Sequence, residues 1–337
     1  MTEYQWTVEK PFQALTLTGG GFRGLFTAQA LHCIEEHLKH PVGRHFDITC
    51  GTSIGGIVAL AVAFEVPMKK VVEMFEECGG LIFPPSKTPK GKIGGFLDIF
   101  KHLHKPRYST QPLYEAITRL IPKDAILGDA VHPVAIPAVN ITEGRPQVFK
   151  TRHKPEWHRD WKLKVTDIAL ATAAAPIYFE LADVSGNLYA DGGLFANAPD
   201  LIALHEGEHF FGVTQEAIRI LNIGTTTNNY SVSFDLGRRF GVAEWMQNNR
   251  LFSVMISAQQ QFVDQLVSHK LGNRYLRIEK EPSSEQAKDL GLDIVTAISI
   301  KTLKALAEKA TSDLIGNKLD PFLAHTKQLT LCEVKNG

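Results

Sequence analysis

Short apolar runs bounded by glycine alternate along the chain with longer stretches whose apolar residues recur every three or four positions. Ala14 to Thr18 predicts a first strand, and the pattern from Leu25 to Leu38 a helix behind it. Phe46 to Cys50 reads as a buried second strand, and the small-residue apolar run from Ile57 to Phe64 suits a packed helix. Residues 65–80 read as an amphipathic helix, with Met68, Val71, Val72 and Phe75 at helical spacing and Glu73, Glu76 and Glu77 opposite. Tyr108 to Leu120 predicts another helix, Val131 to Val139 and Gln147 to Thr151 two strands, and Thr166 to Ala175 a small-residue helix stopped by Pro176. Ile218 to Ile223 is a further strand and Tyr275 to Ile278 an edge strand; residues 240–270 and Ile300 to Leu314 are expected to be helical. Strands alternating with helices predict an α/β layer architecture.

Two stretches break this rhythm. Phe83 to Lys92 holds three prolines and three lysines and predicts an exposed loop. After it, Ile93, Phe96, Leu97, Phe100 and Leu103 form an apolar stripe flanked by Lys92, Lys101, His102, His104, Lys105 and Arg107. Such a segment suits a lipid interface or a lid, or else an ordinary core-packed helix with solvated lysines. Between Arg145 and Lys164 stand seven Lys or Arg against two acids, interleaved with Trp157, Trp161, His153 and His158. That stretch suits phosphates of a headgroup or nucleotide, or a solvated loop.

Charge narrows the partners. Lys+Arg and Asp+Glu balance at 36 each over 337 residues, so no global field selects polymeric nucleic acid or a membrane. Cys33, Cys50, Cys78 and Cys332 have neither metal-ligand nor disulfide spacing, so no metal is expected and a reducing compartment fits. Met1 to Lys10 lacks the apolar core of a signal peptide, and no apolar run approaches the ~20 residues that span a bilayer. A soluble cytoplasmic protein is expected, with association of identical chains left open.

Chemistry concentrates in the turns after the first two strands. Gly51-Thr52-Ser53-Ile54-Gly55 fits the G-x-S-x-G nucleophile elbow, in which a Ser sits on a strained strand-to-helix turn with small neighbours. The first strand runs into Gly19-Gly20-Gly21-Phe22-Arg23-Gly24, whose backbone N–H groups make an anion cradle. Those glycines also satisfy the dinucleotide fingerprint, but Asp47 begins the second strand, whereas the fingerprint wants an acid at its end. The competing reading is an oxyanion hole facing Ser53. Asp191-Gly192-Gly193 is, taken alone, ordinary turn chemistry.

Together these blocks resemble the patatin-like phospholipases. The three motifs stand in that family's order and approximate spacing, and Ala171-Thr172-Ala173-Ala174-Ala175-Pro176-Ile177-Tyr178-Phe179 resembles its A-T-S-A-A-P-x-Y-F block, with Ala173 where Ser is usual. Asn197 and Pro199 resemble the tail of its D-G-G motif, and Thr18 departs from the Asp often found before the glycines. The resemblance covers roughly residues 12–280, leaving 281–337 as a C-terminal helical extension expected to pack on the same domain. It implies a three-layer α/β/α fold with a mostly parallel central sheet. It further implies a dyad of nucleophile Ser53 and base Asp191, with no catalytic cofactor. The oxyanion hole would involve Gly19, Gly20, Gly21, Arg23 and Gly24, and the motif glycines would be Gly51, Gly55, Gly192 and Gly193. An α/β-hydrolase triad completed by His205, His209, His269 or His325 is the alternative catalytic arrangement. The chain also resembles the phospholipase effectors of cyclic-oligonucleotide anti-phage signalling. That implies activation by a cyclic dinucleotide, a membrane phospholipid substrate and a place at the inner membrane when active. A constitutive lipid acyl hydrolase and a non-hydrolytic nucleotide-binding module are the other readings.

Overall fold

The computed structural model describes residues 5–85, 105–226, 230–247 and 250–331. Among these residues eight strands form one sheet: β1 (Phe12–Leu17), β2 (Ile48–Gly51), β3 (Val134–Asn140), β4 (Arg145–Lys150), β5 (Ala182–Val184), β6 (Asn187–Asp191), β7 (Ile218–Ile223) and β8 (Tyr275–Ile278). Their order is β5-β6-β3-β2-β1-β7-β8, with β4 also on β3. Pairing is parallel from β8 through β7, β1 and β2 to β3, and antiparallel among β3, β4, β5 and β6. The sheet is therefore mixed, with its parallel part at the centre.

Period-2 alternation on β1 splits the core. Leu15 and Leu17 face one layer, packed by α1 (Gly24–Leu38), α2 (Ile54–Ala63), α3 (Met68–Ile82), α4 (Gln111–Leu120) and α5 (Val165–Ala173). Phe12 and Ala14 face the other, where Ile48, Cys50, Ala203, Leu204 and residues of α6 (Arg250–Leu271) close over the sheet. This is the expected three-layer fold. α7 (Ala297–Ser312) lies along α1, tied by Gln29 to Glu308 at 3.2 Å. Beyond it, the N–H groups of Gln328 and Leu329 donate to Asp47 Oδ1, at the amino end of β2.

Strands β7 and β8 lie where the sequence predicts them, whereas the β5–β6 hairpin was not expected. Its turn, Ser185-Gly186, has positive φ at both residues (53° and 83°), the geometry that matches strand twist in tight hairpins. The expected basic segment lies outside the described residues except at its ends, residues 84–85 and 105–107. No helix among the described residues is long and apolar enough to cross a membrane.

Candidate active site

Strand register brings the key side chains level. β2 pairs with β3 at Cys50↔Ala135, and three residues further along β3 Ala138 stands opposite Asp191 on β6, at the end of the sheet where Ser53 leaves β2. Ser53 leaves the carboxyl end of β2 at φ 56°, ψ −127°, and α2 starts at the next residue. The two flanking glycines allow this turn: a Cβ on Gly51 would lie 2.2 Å from the Gly55 carbonyl, and one on Gly55 2.3 Å from the Leu17 carbonyl. Thr172 of α5 pins the elbow, accepting from the Ser53 N–H at 3.0 Å and donating to the Pro137 carbonyl at 2.7 Å.

Ser53 Oγ donates to Asp191 Oδ2 at 2.6 Å, while the Gly193 N–H donates to Oδ1 at 2.6 Å. Asp191 is 2% exposed. Burial pushes its carboxyl up to about 7, against the opposing pull of the hydrogen bonds from Ser53 and Gly193.

The glycine turn after β1 closes the other side, but only part of it is available to an anion. The Gly19 N–H is engaged by the Asn197 carbonyl at 3.0 Å, Phe22 N–H by Leu292, Arg23 N–H by Gly20, and Gly24 N–H by the carbonyls of its own turn. Among the described residues, the N–H groups of Gly20 and Gly21 meet no acceptor, and both glycines line the cavity beside Ser53. Gly21 has φ 55°, and a Cβ there would lie 2.2 Å from the Leu292 carbonyl. Of the expected set, Gly20 and Gly21 are thus the residues whose N–H groups are left without an acceptor among the described residues. Burial pulls the pKa of Arg23 below the ordinary value against the opposing field of Glu279 and Tyr178, and among the described residues its Nε has no hydrogen-bond partner. Gly193 serves Asp191 through its N–H, and a Cβ on Gly192 would lie 2.3 Å from the Pro137 carbonyl.

The four histidines do not join this group. His325 Nε2 lies 3.0 Å from Asp47 Oδ2, at the opposite end of β2. His205 and His209 stack on each other at 4.9 Å, and His269 stands in the last turn of α6. None lines the cavity that holds Ser53 and Asp191. That cavity, of about 70 Å³, is walled by Phe75, Ile82, Leu113, Ile117, Tyr178 and Phe179. It is narrow and apolar.

Sequence reasoning did not single out Thr172 or Leu292, and it placed Asn197 only within a motif tail. Asn197 Nδ2 donates to the Gly19 carbonyl at 3.2 Å, so this residue holds the glycine turn from both sides. The A-T-A-A-A-P block carried a signal for Thr172. Leu292 acts through its carbonyl, which no side-chain pattern reports.

Residues 15–204 match the family described as patatin-like phospholipase, and the chain belongs to that family. Within it, the chain is 39% identical over 317 residues to a cGAMP-activated phospholipase of Pseudomonas aeruginosa, covering 93% of this chain and 92% of the relative. Proteins of the same description from Vibrio cholerae (34% over 331 residues, 90% and 92% covered) and Escherichia coli (36% over 321 residues, 88% and 88%) are also similar.

Proposed function

We propose that this protein is a phospholipase of the serine carboxylic-ester hydrolase type, working through a Ser53–Asp191 dyad and switched on by a cyclic dinucleotide. The observation that carries the chemistry is the 2.6 Å bond from Ser53 Oγ to a buried carboxylate with no histidine between them. A carboxyl at its ordinary pKa is a poor base, and one raised to about 7 accepts a proton near neutral pH. Ser53 Oγ attacks the ester carbonyl as its proton passes to Asp191 Oδ2. The developing oxyanion takes the free N–H groups of Gly20 and Gly21, with the positive end of α2 nearby. Asp191 then returns the proton to the departing alkoxide, leaving an acyl ester on Ser53. A water deprotonated by Asp191 attacks that ester and releases the fatty acid, restoring the hydroxyl.

Nucleotide control is supported by the printed activity of the three relatives, each matching this chain over most of its length. An enzyme of this kind would degrade the membrane of its own cell on receiving the signal, a role suited to anti-phage defence. It would act at the inner membrane surface. The test is hydrolysis of phosphatidylglycerol vesicles by purified protein, with and without cyclic GMP–AMP, alongside Ser53→Ala. Fatty-acid release that needs both Ser53 and the nucleotide is expected. Full activity without nucleotide reduces the protein to a constitutive acyl hydrolase, and nucleotide binding with no fluorophosphonate labelling of Ser53 makes it a binding module.

A further inference from the structure

A second cavity, of about 560 Å³, opens on the other face of the sheet, within the range typical of small-molecule sites. Arg145, Lys150 and Arg159 of the basic aromatic stretch line it. Lys150 lines it, ion-paired with Glu206, with Nζ 4.0 Å from the Phe210 ring centre and 4.6 Å from that of Trp157. Arg145, paired with Glu143, and Arg159, paired with Asp160, are exposed cations at the same cavity. Phe195 lines it too, 37% exposed. Glu206 is 1% exposed: Oε1 pairs with Lys150, and Oε2 faces the buried His153 Nε2 at 3.6 Å. Cations and aromatic faces together match a molecule with phosphodiesters and π-faces.

We propose that this cavity is the cyclic-dinucleotide site, a proposal that rests on the nucleotide control inferred above. Arg145 and Arg159 take the phosphodiesters, and Phe195 and Phe210 take the base faces. The cavity also has a short path to the dyad. Phe195 and Ala196 line it, two and three residues past Gly193, which holds Asp191, and just before Asn197, which holds Gly19. The Ala196 carbonyl accepts from Thr52 Oγ1 at 2.6 Å, beside the nucleophile. Gln259 of α6 grips the same segment, donating to the Leu194 carbonyl at 2.8 Å. A ligand seated against Phe195 therefore bears on both halves of the catalytic apparatus.

The experiment is titration of the full chain with cyclic GMP–AMP, followed by calorimetry and tryptophan fluorescence, with glycerophosphoglycerol as a phosphodiester lacking bases. The native protein is expected to bind the dinucleotide with a change in emission that Trp157→Phe removes. Arg145→Ala and Phe195→Ala, each at an exposed position, are expected to raise Kd about tenfold, the loss of one charge-assisted or stacking contact. Unchanged Kd in both variants places the nucleotide elsewhere and overturns this site while leaving nucleotide control intact. Glycerophosphoglycerol binding as tightly as the dinucleotide assigns the cavity to a lipid headgroup instead. No binding of cyclic GMP–AMP by the native protein removes both this site and the nucleotide control, and fluorophosphonate labelling of Ser53 then decides separately whether the hydrolase reading stands.

Discussion

Ser53 holds a positive φ of 56° that costs a non-glycine residue on the order of 1–3 kcal/mol. Ser53→Gly should therefore be more stable than Ser53→Ala, by about 1 kcal/mol in urea unfolding, although both lose hydrolysis; equal stability would mean that the elbow is unstrained. Asp191 carries a second local cost. Its folded pKa of about 7 lies above the ordinary value of 3.8, so its contribution to stability is fully present below pH 3.8 and is lost as pH rises through 7. Asp191→Asn should accordingly be inactive yet more stable than the native protein at pH 8, by roughly 2–4 kcal/mol, with the advantage shrinking towards pH 5. The same ionisation sets activity: kcat/KM for a soluble ester should fall with unit slope below pH about 7 and level off above it. A profile flat down to pH 5 would remove Asp191 as the base.

At the level of elements, α5 positions the elbow through a single side chain. Thr172→Val keeps the methyl that packs on Gly56 but leaves the Ser53 N–H without its acceptor. The expected loss is about 1–3 kcal/mol of stability, with kcat falling at least roughly tenfold and KM little changed. A variant with native kcat would show that α2 alone fixes the turn. Elements with strong local patterns were legible in the sequence, because a buried strand such as Ile218–Ile223 concentrates β-branched and aliphatic residues (Ile218, Ile220, Leu221, Ile223) and the elbow needs its glycines. The β5–β6 hairpin was not, because strands of three and five residues, half exposed, carry too little alternation to stand out from a turn. For the same reason Asp191 looked like turn chemistry by itself, and only motif order brought it to Ser53. The division of labour in the glycine turn was illegible too: whether a backbone N–H is free depends on where the carbonyls of Asn197 and Leu292 fall, residues far away in the chain.

Across the whole molecule, the narrow apolar cavity beside Ser53 and the larger charged cavity beyond the sheet lie on two sides of one short segment, Leu194 to Ala198. If a dinucleotide activates the enzyme, it does so by preferring the conformation that accepts substrate, since a ligand with equal affinity for both states shifts nothing. Linkage makes that preference reciprocal: whatever holds the dyad in its reactive arrangement must tighten the nucleotide by the same factor. On the proposed mechanism, a fluorophosphonate bonded to Ser53 would imitate the tetrahedral intermediate, with its oxygen at the Gly20 and Gly21 N–H groups, and would so hold that arrangement permanently. Protein labelled to completion should bind cyclic GMP–AMP roughly 5–150-fold more tightly than unlabelled protein, the range of a coupling of about 1–3 kcal/mol. Calorimetry on the two forms measures it directly, without any turnover to confuse occupancy with rate. Identical affinities would mean that the nucleotide does not act by shifting the dyad between states, and activation would have to lie in delivery of the enzyme to its lipid surface.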